Sequence, residues 1–188
     1  MLRVDALRAV YPDIEDDIVV TIMGAVAAEL YSLGHRSNFF YLQHAMGLAS
    51  SMGLGLALSR PDKRVVVFDG DGSLLMNLGT LSTLAWYAPK NMIHVVFDNQ
   101  SLLSVGGFPT ATSANSDLAG IAEKSGIKEA TTTRTVEEFQ EAWGAARRRQ
   151  DLSLIVAKVE AVGPKTFLMD LPLLENRFQF QRWLRGRE

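Results

Sequence analysis

Short, continuous apolar runs recur along the chain and predict buried β-strands. Each run is rich in β-branched residues and apolar at consecutive positions, which is typical of strands buried on both faces of a sheet. A strand with one face in water would alternate apolar and polar residues instead. The predicted strands are Ile18 to Ile22, Arg64 to Phe68, Ile93 to Phe97 and Leu154 to Val159.

Longer stretches rich in Ala, Leu, Met and Glu separate these runs and predict helices. Most of them end at Gly, Pro or basic residues, as helices commonly do. Strands that alternate with helices indicate a parallel sheet, because parallel neighbours need long crossover connections. We therefore expect an α/β fold, a doubly wound parallel sheet with helices on both faces. The predicted helices are Ala25 to Leu33, Gly47 to Leu58, Leu74 to Tyr87, Leu118 to Ser125 and Val136 to Arg149.

A further amphipathic helix is predicted near the C-terminus, where Phe178, Phe180 and Trp183 are interleaved with basic residues. Aromatic residues at this spacing favour packing, on the domain itself or on a partner, over binding of an anion. The basic residues of the segment are Arg177, Arg182, Arg185 and Arg187.

Composition narrows the functional classes. The chain has 188 residues, of which 47% are hydrophobic and 21% charged, and we expect one globular domain spanning residues 1–188. A net charge of -2 gives no electrostatic reason to expect nucleic acid or an anionic membrane as partner. Without cysteine, disulfides and thiolate metal sites are excluded. The charged N-terminus is unlike a secretion signal, and we expect a cytoplasmic protein.

Two aspartates and two glycines follow the second predicted strand, where the chain reads Asp69-Gly70-Asp71-Gly72 before Ser73. A helix that begins at Ser73 would present free amide groups to phosphate, and we expect the two glycines to let the backbone turn sharply around it. Asp71 would repel that phosphate unless a divalent cation such as Mg²⁺ lay between them. Taken alone, the turn fits a plain strand-to-helix connection equally well, and Asp69 has no assigned role.

A second polar loop favours the metal site. After Ile93 to Phe97 the chain continues through Asp98 and Asn99 to Ser101, at what should be a neighbouring strand end. The two loops together resemble the signature of the thiamine-diphosphate enzymes, a Gly-Asp-Gly followed after the next strand by Asn-Asn, with Asp98 in place of the first Asn. This resemblance implies thiamine diphosphate and Mg²⁺ as cofactors. It also implies that Asp71, the Asn99 side chain and the Ser101 carbonyl bind the metal.

The same resemblance assigns further cofactor contacts. It implies that Gly70, Gly72 and Ser73 help to hold the diphosphate. Met46 matches the hydrophobic residue that this family wedges between the two cofactor rings, although a Met in an apolar run is otherwise an ordinary core residue. The Met46 N–H and the His44 carbonyl match the groups that bind the aminopyrimidine. The family commonly has Gly-Ser where this chain has His-Ala, and the role of the His44 imidazole stays open.

These residues make up only half of the expected active site. In the thiamine-diphosphate enzymes a glutamate that activates the aminopyrimidine comes from a separate pyrimidine-binding domain. The chain resembles only the diphosphate-binding, C-terminal-type domain over nearly its whole length. We therefore expect a separate α subunit that supplies the activating Glu, in a hetero-oligomer such as α2β2 or larger.

Three segments narrow the substrate class. They are similar to the sulfopyruvate and phosphonopyruvate decarboxylases, a group that includes a two-subunit enzyme with a β subunit of this kind and size. The resemblance implies decarboxylation of a small 2-oxo acid that carries a sulfonate or phosphonate. Phe108 stands where that group usually has Gln, which leaves a less polar substrate open. The segments are Met46 to Leu58, Gly70 to Gly79 and Ser104 to Thr110.

Two alternative functions are also compatible with the sequence. One is a split-subunit carboligase of the acetolactate-synthase type, with the same cofactor. The other is a non-catalytic, receiver-like domain that binds a metal, which should carry a Lys at the end of a later strand. Lys158 falls inside a predicted strand, and this disfavours the receiver hypothesis.

The other two histidines of the chain are His35 and His94. His94 falls inside a predicted strand, and we expect a hydrogen-bonded core residue there. His35 precedes the segment that carries Met46, and its loop could face the substrate. His35 therefore joins His44 and Met46 as a candidate catalytic residue.

Overall fold

The computed structural model describes residues 1–186 apart from the side chain of Ser104, and six strands form one parallel sheet in it. The sheet order is β2-β1-β3-β4-β8-β7, and every neighbouring pair is parallel. A short antiparallel pair, β5 and β6, forms a separate hairpin. The strands are β1 (Ile18–Ile22), β2 (Phe39–Leu42), β3 (Val65–Gly70), β4 (Met92–Asp98), β5 (Ser101–Leu102), β6 (Phe108–Pro109), β7 (Glu129–Thr133) and β8 (Ser153–Lys158).

Helices connect successive strands, as parallel pairing requires. Short 3₁₀ turns follow the first helix and flank β6. The α-helices are α1 (Arg3–Val10), α2 (Ala25–Ser32), α3 (Ala49–Ser59), α4 (Asp71–Leu75), α5 (Gly79–Tyr87), α6 (Leu118–Lys124), α7 (Val136–Arg148) and α8 (Leu173–Leu184). Among the described residues, no helix is both long enough and apolar enough to cross a bilayer.

Helices cover both faces of the sheet, which confirms the doubly wound prediction. Adjacent residues of β3 point to opposite faces. Val67 lies against α3, close to Gly53, whereas Phe68 stacks with Phe97 of β4 and with Trp143 of α7 at ring-centroid distances of 5.9 and 6.4 Å. The strands between these two helix layers are therefore apolar at nearly every position.

The four predicted strands are present, with ends that differ by one or two residues, but one predicted helix is wrong. Leu74 to Tyr87 is not continuous, because α4 ends at Leu75 and α5 begins at Gly79. The side chain of Asn77, in the turn between them, donates to the Gly47 carbonyl at 2.9 Å. The chain therefore turns there to meet the segment before α3.

The predicted C-terminal helix is α8, and it packs on the edge strand β2 as expected. Phe180 is buried, and Asn176 replaces a neighbouring strand: its side chain accepts from the Tyr41 N–H at 3.0 Å and donates to the Phe39 carbonyl at 2.7 Å. These bonds satisfy backbone groups that an open sheet edge would expose. Arg187, counted with this segment in the sequence, lies outside the described residues.

Two glycines of α3 give a matched test of the packing. An added Cβ at Gly53 would lie 2.2 Å from Cγ2 of Val67, whereas one at Gly55 would have no atom within 4 Å. We expect Gly53→Ala to lower the free energy of unfolding by about 1–3 kcal/mol through overpacking. Gly55→Ala should raise it by about 0.5–1 kcal/mol, because Ala restricts the unfolded chain. Urea unfolding followed by tryptophan fluorescence measures both, and equal effects would contradict this packing of α3 on β3.

Candidate functional site

One cavity opens at the carboxyl edge of the sheet, where β1, β3 and β4 end. Residues from four loops line it: those after β1, after β2, after β3 and after β4. The sequence-predicted residues that it brings together are Met46, Gly70, Asp71, Gly72, Ser73, Asn99 and Ser101. Neither His44 nor His35 is among the residues that line it.

Asp71 is the acidic residue of this cavity. It is the first residue of α4 and almost fully buried. Thr110 donates to Asp71 Oδ2 at 2.6 Å, and Thr112 Oγ1 lies 3.1 Å from the same oxygen. Within residues 1–186 its carboxylate has these hydroxyls as side-chain partners and no basic group. Burial raises the pKa of Asp71, and the nearby Asp98 carboxylate adds to the rise.

Asp98 has the same burial but a different environment. It is the last residue of β4, and Lys158, the last residue of β8, forms an ion pair with its carboxylate. Thr112 Oγ1 also lies 2.7 Å from Asp98 Oδ1 and so bridges the two carboxylates. Lys158 therefore compensates the charge of Asp98, whereas nothing in the described chain compensates that of Asp71.

The loop after β4 places the other two predicted metal ligands. The Asn99 side-chain oxygen accepts from the Ser101 N–H at 3.1 Å, which closes a tight turn. Gln100, between them, has a positive φ of 58°. In the described residues, no three His, Asp or Glu side chains converge to form a metal site unaided. A single carboxylate with an amide and a carbonyl oxygen is a donor set that suits Mg²⁺ when phosphate supplies further oxygens.

Gly70 and Gly72 have a role that differs from the predicted one. Neither has a positive φ, so the backbone conformation does not require glycine at either position, and the helix begins at Asp71 rather than at Ser73. The two glycines matter instead because neither carries a side chain that would fill the space beside it. A Cβ on Gly72 would lie 2.4 Å from Leu102, and one on Gly70 would meet no protein atom within 4 Å. Gly70 therefore leaves open room beside Asp71.

The segment that carries Met46 is fastened to α4. The Gly47 N–H donates to Ser73 Oγ at 2.9 Å, and Asn77 holds the Gly47 carbonyl from the other side. Gly47 has φ +82°, and a Cβ there would lie 3.1 Å from Asn77, so this turn requires glycine. Ser73 thus positions the Met46 turn by accepting the hydrogen bond from Gly47, and both its O–H and its backbone N–H stay free to donate to an anion.

The two histidine candidates lie elsewhere. His44 is exposed and has φ 54°, and its backbone N–H approaches the Met23 sulfur at 3.2 Å. His35 contacts Gln179 of α8 through Nε2 at 2.7 Å and the Tyr41 hydroxyl through Nδ1 at 3.3 Å. The prediction that His35 faces the substrate is therefore not supported, because both ring nitrogens serve the packing of α8 on β2.

Asp69 belongs to β3 rather than to the turn. It is fully buried, and Oδ1 accepts from the Gly70 N–H at 2.9 Å while Oδ2 lies 3.3 Å from Nε2 of His94. His94 is the hydrogen-bonded core residue that the sequence predicts, although its Nδ1 is buried without a partner in the described chain. The Asp69–His94 pair therefore supports the Gly70-Asp71 corner from inside the sheet.

Sequence reasoning missed a third wall of the cavity. Met23 and Gly24 lie between β1 and α2, and Ala25 begins α2; the glycine directly after a predicted strand was the available sequence signal. Arg3 of α1 and Phe167, from the segment after β8, also line the cavity. These residues are distant in sequence from the Gly-Asp-Gly stretch, and only the fold brings them to it.

The prediction that Lys158 lies inside a strand, away from its end, is wrong. Lys158 does not lie in mid-strand but ends β8, and it pairs with an aspartate at the end of the neighbouring strand β4. The position of Lys158 therefore gives no reason to reject the receiver-like hypothesis.

A family model matches most of the chain. Residues 20–157 match the model described as "Thiamine pyrophosphate enzyme, C-terminal TPP binding domain". This range includes every predicted metal ligand and the Met46 turn. It leaves out α1 and α8.

Curated relatives extend the match to the remaining chain. The chain is 38% identical over 179 residues to the sulfopyruvate decarboxylase subunit beta of Methanocaldococcus jannaschii, covering 95% of this chain and 94% of that one. It is 41% identical over 155 residues to the sulfopyruvate decarboxylase of Methanosarcina acetivorans, of which it spans only 40%. It is also 39% identical over 145 residues to the phosphonopyruvate decarboxylase of Streptomyces viridochromogenes, covering 77% of this chain and 36% of the relative.

Solved structures agree on the fold. Benzoylformate decarboxylase from Polynucleobacter necessarius superposes with a TM-score of 0.72 at 17% identity, over 88% of this chain and 34% of that one. The 4-hydroxybenzoylformate decarboxylase of Rhodococcus jostii superposes with a TM-score of 0.69 at 20% identity, over 85% and 33%. The chain thus corresponds to about a third of these larger polypeptides.

Asp69 offers a direct test of the support beneath the cavity. Asp69→Ala should lower the free energy of unfolding by about 1–3 kcal/mol, because it leaves His94 and the Gly70 N–H buried without partners. Asp69→Asn keeps an acceptor for Gly70 and should cost less. Urea unfolding of the two variants measures the difference. An Asp69→Ala variant as stable as the wild type would show that the pair does not stabilise this corner.

Proposed function

Because the chain belongs to the thiamine pyrophosphate enzymes, as a C-terminal TPP-binding domain, we propose that it is the β-type subunit of a decarboxylase that uses thiamine diphosphate and Mg²⁺. Its substrate is a small 2-oxo acid of the sulfopyruvate or phosphonopyruvate type. The observation that carries the proposal is the convergence of Asp71, Asn99 and Met46 on one cavity in a chain as long as a named β subunit. The relatives' names support the substrate class.

The donor set fits the proposed metal and cofactor. Asp71 is a buried carboxylate without a basic partner in the described chain, and burial of such a charge is costly unless a cation compensates it. Mg²⁺ held by Asp71, the Asn99 side chain and the Ser101 carbonyl would supply that cation and attract a diphosphate. Gly70 leaves the space into which the ligand can fit.

The chain's own residues bind, orient and exclude water. Ser73 and Asn77 hold the Gly47 turn, so that Met46 is presented to the cavity from a fixed backbone. Apolar side chains, such as Leu103 and Phe167, form part of the wall and lower the local dielectric, which strengthens the electrostatic interactions of the site. Thiamine diphosphate, when bound, supplies the nucleophilic ring carbon and the electron sink for loss of CO₂.

The cavity supports a two-subunit architecture. Asp71 is the only carboxylate among the residues of the described chain that line it, and it is assigned to the metal. We propose that the glutamate that activates the aminopyrimidine comes from another chain, the pyrimidine-domain α subunit, in line with the relatives named subunit beta. Large apolar side chains on the segments around the cavity are exposed and would be covered by that partner: Leu48, Met76, Val105, Phe108, Phe167 and Leu168.

The carboligase alternative shares this cofactor site. Phe108 lies on the exposed hairpin and is not among the residues that line the cavity, so it gives no reason to prefer the less polar substrate that the sequence left open. Decarboxylation stays the proposed reaction because the relatives that match along most of this chain carry that name.

Reconstitution tests the proposed activity. With Mg²⁺ and thiamine diphosphate, the chain alone should release no CO₂ from sulfopyruvate or phosphonopyruvate, because it lacks the activating glutamate. Adding the pyrimidine-binding subunit should restore CO₂ release, measured by a coupled bicarbonate assay. A pair assembled with Asp71→Asn is the negative control. Turnover by the lone chain at the rate of the pair would contradict the half-site proposal.

Asp71→Asn separates metal binding from folding. The substitution keeps the shape and the acceptor for Thr110, so the free energy of unfolding should change little. Loss of even an outer partner of a metal site commonly weakens binding 10–100-fold, so we expect Mg²⁺-dependent binding of thiamine diphosphate to weaken at least about tenfold. Calorimetric titration of the assembled pair measures this. Asp62→Asn, at an exposed ion pair with Arg60, is the matched control; equal affinities in both variants would reassign the ligand.

A further inference from the structure

A buried arginine lies in the wall of the cofactor cavity. Arg3, the first residue of α1, is only 4% exposed and lines the same cavity as Asp71 and Met46. It lies outside the family match at residues 20–157. Its position results from the fold, which brings the first helix to the carboxyl edge of the sheet.

Three hydrogen bonds fix the orientation of the Arg3 guanidinium. Nε donates to Oε2 of Glu29 at 2.8 Å, Nη2 donates to Oε1 of the same residue at 3.0 Å, and Nη2 also donates to the Val162 carbonyl at 3.1 Å. Glu29 is itself buried in α2. A buried ion pair adds little stability by itself, because desolvation offsets the attraction. The consequence of this ion pair is that the planar guanidinium of Arg3 is held in one position.

One nitrogen of this group is left for a ligand. In the part of the chain that the structure describes, which leaves out the Ser104 side chain, Nη1 of Arg3 makes no hydrogen bond. Nη1 is therefore a donor without a partner in that part of the chain, on a residue that lines the cavity. An arginine donor that is fixed on one side and open on the other suits the oxygens of an anion.

The neighbouring helix adds to this preference for an anion. Gly24 precedes α2 with φ +79° and no side-chain cap, and Ala25 and Val26 in the first turn line the cavity. First-turn amide groups are free donors at the positive end of a helix. Glu29 of α2 offsets the charge of Arg3 and holds it in place, so Arg3 and the start of α2 form a wall of hydrogen-bond donors that is separate from the proposed metal ligands.

We propose that Arg3 is an anion receptor of this cavity, whose Nη1 binds a tetrahedral oxyanion together with the first-turn amides of α2. The oxyanion has two sources that share this chemistry: a phosphate of the cofactor, or the sulfonate or phosphonate of the substrate. The inference rests on the proposed function, because both sources belong to it. Binding of inorganic pyrophosphate and of methylphosphonate can nevertheless be measured independently of the reaction that the enzyme catalyses.

The variants separate anion binding from folding. Arg3→Met combined with Glu29→Met removes both charges, so that no buried carboxylate is left unpaired. Arg3→Lys keeps the charge but loses the fixed fork. Arg8→Met is the control, because Arg8 is an exposed arginine on the same helix that pairs only with Asp5. Circular dichroism and urea unfolding establish which variants fold, and Arg3→Lys decides the test if the double variant does not.

Calorimetry on the assembled pair, with Mg²⁺ present, measures binding of pyrophosphate, thiamine diphosphate and methylphosphonate. Loss of one charged hydrogen bond should weaken the affected anion about tenfold or more, with Arg8→Met unchanged. Weaker pyrophosphate and cofactor binding would identify the diphosphate as the occupant. Weaker methylphosphonate binding, with a raised KM for sulfopyruvate and an unchanged kcat, would identify the substrate anion. Wild-type affinity for all three anions would overturn the proposal, whereas weakened binding without decarboxylation would overturn only the proposed function.

Discussion

The parallel pairing of β3 with β4 is the constraint on which the site depends. Gly70 lies opposite Phe97 in this register. Asp71 directly follows β3, and Asp98 and Asn99 lie at and just beyond the end of β4, so these polar residues leave the sheet side by side. Both strands are buried on both faces along nearly their whole length, and a shift in register would disrupt the close packing of their side chains against the helices on either side. The core of the sheet therefore fixes the spacing of the polar residues at its edge.

Charge compensation divides the work between the two carboxylates. Asp98 and Lys158 are register partners at the ends of β4 and β8, and their ion pair is complete within the chain. Asp71, which Thr112 bridges to Asp98, has no such partner in the described residues. We propose that a cation from outside the described chain compensates Asp71, and this difference is why one aspartate is assigned to a metal and the other to the fold.

The sequence predicts the central strands well and places the Gly-Asp-Gly stretch at a strand end, where the structure has it, because both depend on local patterns. The edge strand β7 is missed, since Glu129–Thr133 is largely polar and its threonine run was the only strand signal. The role of Asp69 could not be predicted either, because its partner His94 comes from another strand. Arg3 reaches the cavity only through the packing of α1, and the position of His35 depends on α8; neither contact leaves a pattern along the chain.

Location of the bound metal tests the central claim most directly. Crystals of the chain assembled with its pyrimidine-binding subunit, grown with thiamine diphosphate and with Mn²⁺ in place of Mg²⁺, would give an anomalous difference peak at the metal. The account predicts one peak in contact with the Asp71 carboxylate, the Asn99 side-chain oxygen and the Ser101 carbonyl. A peak bound instead by Asp98, or bound cofactor with no metal near Asp71, would contradict it.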